Sequence, residues 1–79
     1  MSLMFEVYYR APADQARESR IAEAIRPFGG AISSREVPVA GDVSQAVVLT
    51  CEFGDYASAE GAANSLRASG EHVEAISEY

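Results

Sequence analysis

Alternation of apolar and polar residues predicts four β-strands, at residues 5–9, 31–39, 45–53 and 72–77. In the first strand, Phe5, Val7 and Tyr9 alternate with more polar positions, as in a strand with one buried face. Pro38 marks the second as an edge strand, because proline has no N–H to donate to a neighbouring strand. The third has apolar residues on both faces near its centre, which is typical of a central strand.

Helical spacing predicts two α-helices, at residues 14–26 and 56–69. The inward side of the first runs from the stem of Arg17 to Phe28, and the glycine pair at 29–30 ends the helix. The inward side of the second consists of small residues and Leu66, which allow a close approach to a sheet.

The predicted order is β-α-β-β-α-β within one domain at residues 4–79. Right-handed crossovers then give an α+β, ferredoxin-like fold, a four-stranded antiparallel sheet with both helices on one face. Residues 1–3, followed by a second methionine at Met4, are interpreted as an expression-vector remnant.

Two helices cover only one face of such a sheet. The covered face is expected to carry Phe5, Val7, Tyr9, Val47, Leu49, Cys51 and Phe53. The opposite face is expected to carry Met4, Tyr8, Val48, Thr50 and Ile76, interrupted by Glu6, Arg10, Glu52 and Glu74. Uncovered apolar patches often mark interfaces, so we expect a two-fold homodimer, through the sheet faces or the proline-containing edge. The predicted interface residues are Met4, Tyr8, Val48 and Ile76. The alternative is a monomer with a mixed sheet surface.

The net negative charge of the chain argues against anionic binding partners. The 79 residues include six arginines, no lysine and twelve carboxylates, which gives a net charge of −6. Phosphate-binding surfaces need clustered positive charge, so nucleic acid and anionic membranes are not expected partners. The sequence has no apolar run long enough for a membrane span and no visible signal peptide, and we expect a cytoplasmic location.

Candidate catalytic and metal-binding side chains are few. One cysteine rules out an internal disulfide, and one cysteine with one histidine does not make a structural zinc site. Cys51 is in phase with the buried residues of its strand and is expected to act as a small core residue. His72 is expected at the surface between Glu71 and Glu74. We therefore expect no catalytic residue, no metal and no cofactor, and favour a non-enzymatic protein.

The passage Phe28-Gly29-Gly30-Ala31-Ile32-Ser33-Ser34, together with the element order, resembles ACT-like regulatory domains. The resemblance implies dimerisation and binding of an amino acid or similar small molecule at the loop after the first strand. Here that loop is residues 10–14, with Arg10 and Asp14 as candidate ligand-binding residues. Arg10 offers a partner for a ligand carboxylate. A homo-oligomerising regulatory or small-ligand-binding domain is the preferred interpretation.

Two alternatives stay open. Some small ferredoxin-like proteins pair their sheets into dimeric α/β barrels with oxygenase or isomerase activity, and Arg10 and His72 are the polar candidates for such a cavity. The segment Phe53-Gly54-Asp55-Tyr56-Ala57-Ser58-Ala59-Glu60, followed by Leu66 and Gly70, resembles the sporulation-related repeat. That resemblance implies peptidoglycan binding.

Overall fold

The computed structural model describes residues 3–39 and 45–78, which form an α+β fold. The elements are β1 (Leu3–Arg10), α1 (Gln15–Ile25), β2 (Ala31–Glu36), β3 (Ala46–Phe53), α2 (Tyr56–Ala68), β4 (His72–Val73) and β5 (Ser77–Glu78). A short 3-10 turn, Arg26–Phe28, extends α1. Leu3, assigned above to the remnant, is the first residue of β1. Neither helix in this part of the chain is long and apolar enough to cross a membrane.

The five strands of the described residues form one antiparallel sheet. Its order is β2-β3-β1-β4, and β5 pairs with β1 beyond the end of β4. The second strand, predicted to run to residue 39, ends at Glu36. Its pairing stops where Glu36 lies opposite Val48, shortly before Pro38, which has no N–H for a ladder.

The predicted fourth strand is interrupted by a register shift. Val7 lies opposite Val73, whereas Met4 lies opposite Ser77. Two residues of β1 therefore face three residues between β4 and β5, as in a β-bulge. One extra residue reverses the side on which the following side chains lie. Ile76, expected on the uncovered face, consequently packs against the core.

A second irregularity lies in β2. Ile32 pairs with Cys51 and Ser34 with Thr50, so Ser33 is the extra residue. The shift moves Arg35 opposite Leu49, on the side of the sheet that the helices cover.

The core is a single cluster between the sheet and both helices. The strand residues predicted to face inward are all buried, and Cys51 is completely so, which confirms that part of the sequence prediction. The helices contribute Ile21, Ile25, Ala59, Ala62, Ala63 and Leu66.

Both helices begin at an aspartate cap. The Asp14 carboxylate accepts a hydrogen bond from the backbone N–H of Arg17 at 3.0 Å, and the Asp55 carboxylate accepts one from Ser58 N–H at 2.8 Å. Such caps occupy backbone donors that have no partner within the helix. The first helix and its 3-10 extension end at Gly29, whose φ of 75° suits glycine.

We expect Gly30→Ala to destabilise the fold by about 2 kcal/mol through overpacking. A Cβ at this position lies 2.6 Å from Cζ of Phe53, a buried ring that packs at a tilt against the ring of Phe5. Gly54→Ala is the matched control, because a Cβ there meets no atom within 4 Å, and we expect a change within about 0.5 kcal/mol. Urea unfolding followed by circular dichroism measures both. Equal effects for the two variants would contradict the close approach.

We expect the Cys51 thiol to resist labelling in the folded protein. Burial raises the pKa of Cys51 to about 12, and the thiolate is the reactive form. A bulky disulfide reagent at neutral pH should react with the native chain at least about 100-fold more slowly than with the chain unfolded in urea. Similar rates in the two states would show that the side chain is exposed.

Candidate functional site

The side of the sheet away from the helices is the candidate site, and we call it the open face. The strand register, and the burial of the neighbouring residues on the opposite side, show which side chains lie on the open face. They are Ala31, Ser34 and Glu36 on β2, Ala46, Val48, Thr50 and Glu52 on β3, Met4, Glu6, Tyr8 and Arg10 on β1, and His72, Glu74 and Ser77 along the last edge.

A groove of about 470 Å³ crosses the open face. The bulge after β4 forms one wall, and the lining includes Met4, Glu6, Tyr8, Thr50, Glu74 and Ser77. A smaller hollow of about 260 Å³ lies on the other side of Tyr8, beside Arg10 and His72. Tyr8 therefore separates two concavities on the same surface.

Polar contacts organise the groove around Tyr8. Its hydroxyl donates a hydrogen bond to Oε1 of Glu6 at 3.0 Å. This bond to a carboxylate raises the pKa of Tyr8, because ionising the phenol would remove the donor beside a negative charge. The His72 ring lies 5.8 Å from the Tyr8 ring, and its Nε2 is 3.9 Å from Oε1 of Glu74.

The four residues predicted for an interface do not share one surface. Met4, Tyr8 and Val48 lie on the open face and are each half-buried. Ile76 packs against the core because of the bulge. The structure thus brings three of the four together.

The two residues predicted to bind a ligand are not brought together. Arg10 is exposed on the open face opposite Ala46. Asp14 lies at the start of α1, where its carboxylate caps the helix and its N–H donates to the Tyr9 hydroxyl at 2.8 Å. The structure therefore does not place these two side chains on one surface, and their role in ligand binding stays a prediction.

The covered side holds a charged network that sequence reasoning missed. The buried Tyr9 hydroxyl donates a hydrogen bond to Oε2 of Glu18. Arg35 donates from Nε and Nη2 to both carboxylate oxygens of Glu18, at 2.9 Å each. The hydrogen bond from Arg35 lowers the pKa of Glu18, whereas burial raises the pKa of Tyr9. The signal in the sequence was the inward phase of Tyr9, because a buried phenol needs a polar partner.

Arg17 extends this network towards α2. Its guanidinium lies 5.0 Å from the centre of the Tyr9 ring and donates to Oε1 of Glu71 at 2.9 and 3.1 Å. A hollow of about 620 Å³ next to α1 includes Glu18 and Arg35 in its lining. Those two charges already pair with each other, so we place the candidate site on the open face instead.

Metal binding finds no support in the part of the chain that the structure describes. No group of three or more His, Cys, Asp and Glu side chains lies close enough to hold an ion among residues 3–39 and 45–78. Cys51 is buried beneath the helices, away from His72 on the open face.

The two segments that carry the family resemblances have local structural roles. The glycine pair at 29–30 links α1 to β2, and Asp55 of the second segment caps α2. Tyr56, next to that cap, is exposed. Comparison with protein-family models, with curated proteins and with solved structures gives no match for this chain.

We expect Glu18→Gln to destabilise the protein at neutral pH and to destabilise it less at a pH well below 4.5. The folded protein lowers the pKa of Glu18 below its ordinary value of 4.5. The ion pair therefore stabilises the fold above that value and loses its effect as the pH falls through the lowered pKa. Urea unfolding at both pH values measures the difference. Glu60→Gln, on the exposed side of α2, is the control and should show no such pH dependence. A pH-independent loss in Glu18→Gln would contradict the role of charge.

Proposed function

We propose that this chain is a ferredoxin-like binding module that forms a homodimer through its open face and holds a small ligand in the groove there. The observation that carries the proposal is a set of uncovered apolar side chains on the two central strands of the open face. Met4, Tyr8 and Val48 remain partly exposed there, beside a groove of about 470 Å³.

The ferredoxin-like assignment is supported by topology. The strand order β2-β3-β1-β4 places the two strands that precede helices, β1 and β3, side by side at the centre of the sheet. Both helices share one core with these strands. This arrangement is the one expected from two right-handed β-α-β units joined by a turn.

The size of the open face suits a weak dimer. The two central strands have eight residues each, and the sheet is four strands wide, so the face measures at most about 26 by 19 Å, on the order of 500 Å². Stable interfaces bury about 800 Å² per partner, so a concentration-dependent dimer is the expected outcome. Burying about 300 Å² of apolar surface contributes about 7 kcal/mol before the costs of association.

A second copy also completes the groove. On one chain the groove is open to solvent, and binding sites for small molecules bury most of the ligand surface. A partner sheet laid on the open face closes it from above. The ligand is therefore proposed to bind between the two copies, and the loop at residues 10–14 is not needed for it.

A catalytic role is the second candidate, and one observation favours it. Tyr8, Glu6, His72 and Glu74 are four titratable side chains on the same uncovered face, and Tyr8 lies within contact range of Glu6 and His72. A dimer would enclose them, as the barrel-type enzyme interpretation requires. They lie at an interface in either case, so the assembly state is the first experiment for both candidates.

We expect sedimentation equilibrium at tens of micromolar protein to detect a species of about 17 kDa, twice the 8.4 kDa of one chain. Val48→Glu should weaken this dimer at least about 100-fold, because it places an unpaired carboxylate at the centre of the interface. Ala57→Glu adds the same charge on the exposed side of α2 and should leave the dimer unchanged. A wild-type chain that stays at 8.4 kDa throughout, or equal effects of the two variants, would remove the open face as the interface.

A further inference from the structure

We infer that the two open faces meet with their strands reversed end to end, so that Arg10 of each copy lies against Glu52 of the partner subunit. The inference rests on the proposed dimer and specifies its two-fold axis, which would run across the strands. It follows from how the register distributes charge over the open face.

The register arranges the open face in four rows across the sheet. The first row contains Ala31, Glu52, Met4 and Ser77. The second contains Ser34, Thr50, Glu6 and Glu74. The third contains Glu36, Val48, Tyr8 and His72. The fourth contains Ala46 and Arg10. Carboxylates thus occupy the first three rows, and the guanidinium stands in the fourth.

Arg10 and Glu52 lie at opposite ends of this surface. Arg10 is the last residue of β1, and Glu52 lies opposite Met4 at the other end of the ladder. Six residues of extended strand separate Met4 from Arg10, which is about 20 Å. No ion pair or side-chain hydrogen bond joins either charge to another residue of the described ranges, 3–39 and 45–78. The two charges meet only if another copy brings them together.

When two sheets pack with their strands aligned, a two-fold axis between them runs either along the strands or across them. With the axis along the strands, each row faces the same row of the second copy. Arg10 then stands opposite Ala46 of the partner subunit. The nearest carboxylate is then Glu36 of the partner subunit, displaced by both a row and a strand. With the axis across the strands, the first row faces the fourth. Arg10 then stands opposite Met4 of the partner subunit, and the partner subunit's Glu52 is displaced sideways from it by one strand spacing, about 4.8 Å.

The reversed arrangement also keeps the remaining carboxylates apart, as an axis along the strands would, so the position of Arg10 is what distinguishes the two. The second row faces the third, so Glu6 stands opposite Tyr8 of the partner subunit and Glu74 opposite His72 of the partner subunit. Thr50 and Val48 face each other near the centre. No carboxylate of the described open face then lies directly opposite another, and a chain of net charge −6 can associate through this surface.

Charge exchange between the two positions tests the pairing. Arg10→Glu and Glu52→Arg should each weaken the dimer about tenfold or more, because each substitution acts at both symmetric contacts and places like charges together. The double variant restores opposite charges and should return to within about threefold of the wild-type Kd. Sedimentation equilibrium at low salt measures the Kd, and circular dichroism confirms that each variant is folded.

Matched controls account for the change in net charge. Arg20→Glu and Glu60→Arg make the same changes at exposed helical positions, and each should alter the Kd less than about threefold. If the open-face variants behave like these controls, or if the double variant does not recover, the reversed arrangement is wrong. In that case loss of the dimer in Val48→Glu would still support the proposed interface. A wild-type monomer would overturn both the interface and the pairing.

Discussion

The antiparallel ladder between β1 and β3 determines where most side chains of this protein lie. The two strands pair along their whole length, from Leu3 opposite Phe53 to Arg10 opposite Ala46, at the centre of the sheet. A slip of one residue would exchange the two faces of a strand. The aromatic and aliphatic residues under the helices therefore hold the ladder in register. The same ladder sets the spacing of Glu6, Tyr8 and Arg10 on the open face.

Strand alternation predicted the central part of the fold because both central strands are regular. The inward residues of β1 and β3, including Cys51, were assigned correctly from their period of two. The outer strands are different, since each contains one extra residue. Ser33 moves Arg35 to the covered side, and the bulge after β4 moves Ile76 there. Neither irregularity can be predicted from the residue types. An edge strand pairs with only one neighbour, so its alternation of buried and exposed residues is less constrained.

The sequence likewise predicted the candidate site only where the strands are regular. Tyr8, Val48 and Met4 belong to the regular ladder, so their placement on the open face followed from alternation. The groove itself depends on the bulge and was not foreseen. The two residues predicted to bind a ligand, Arg10 and Asp14, lie apart for another reason. The helix after this loop needs a cap, and the carboxylate of Asp14 supplies it. Glu18 was overlooked because its partners come from β1 and β2, which are distant in the sequence.

The alanines of α2 have a consequence for which substitutions this protein tolerates. Ala59, Ala62 and Ala63 lie completely buried against the sheet, so the helix sits close to it and little depth remains between the two layers. Larger side chains at these positions would push the layers apart, and only glycine is smaller. The interior therefore tolerates little change, whereas the outer surface is free to vary. Substitutions on the open face alter one row at a time and leave the core in place.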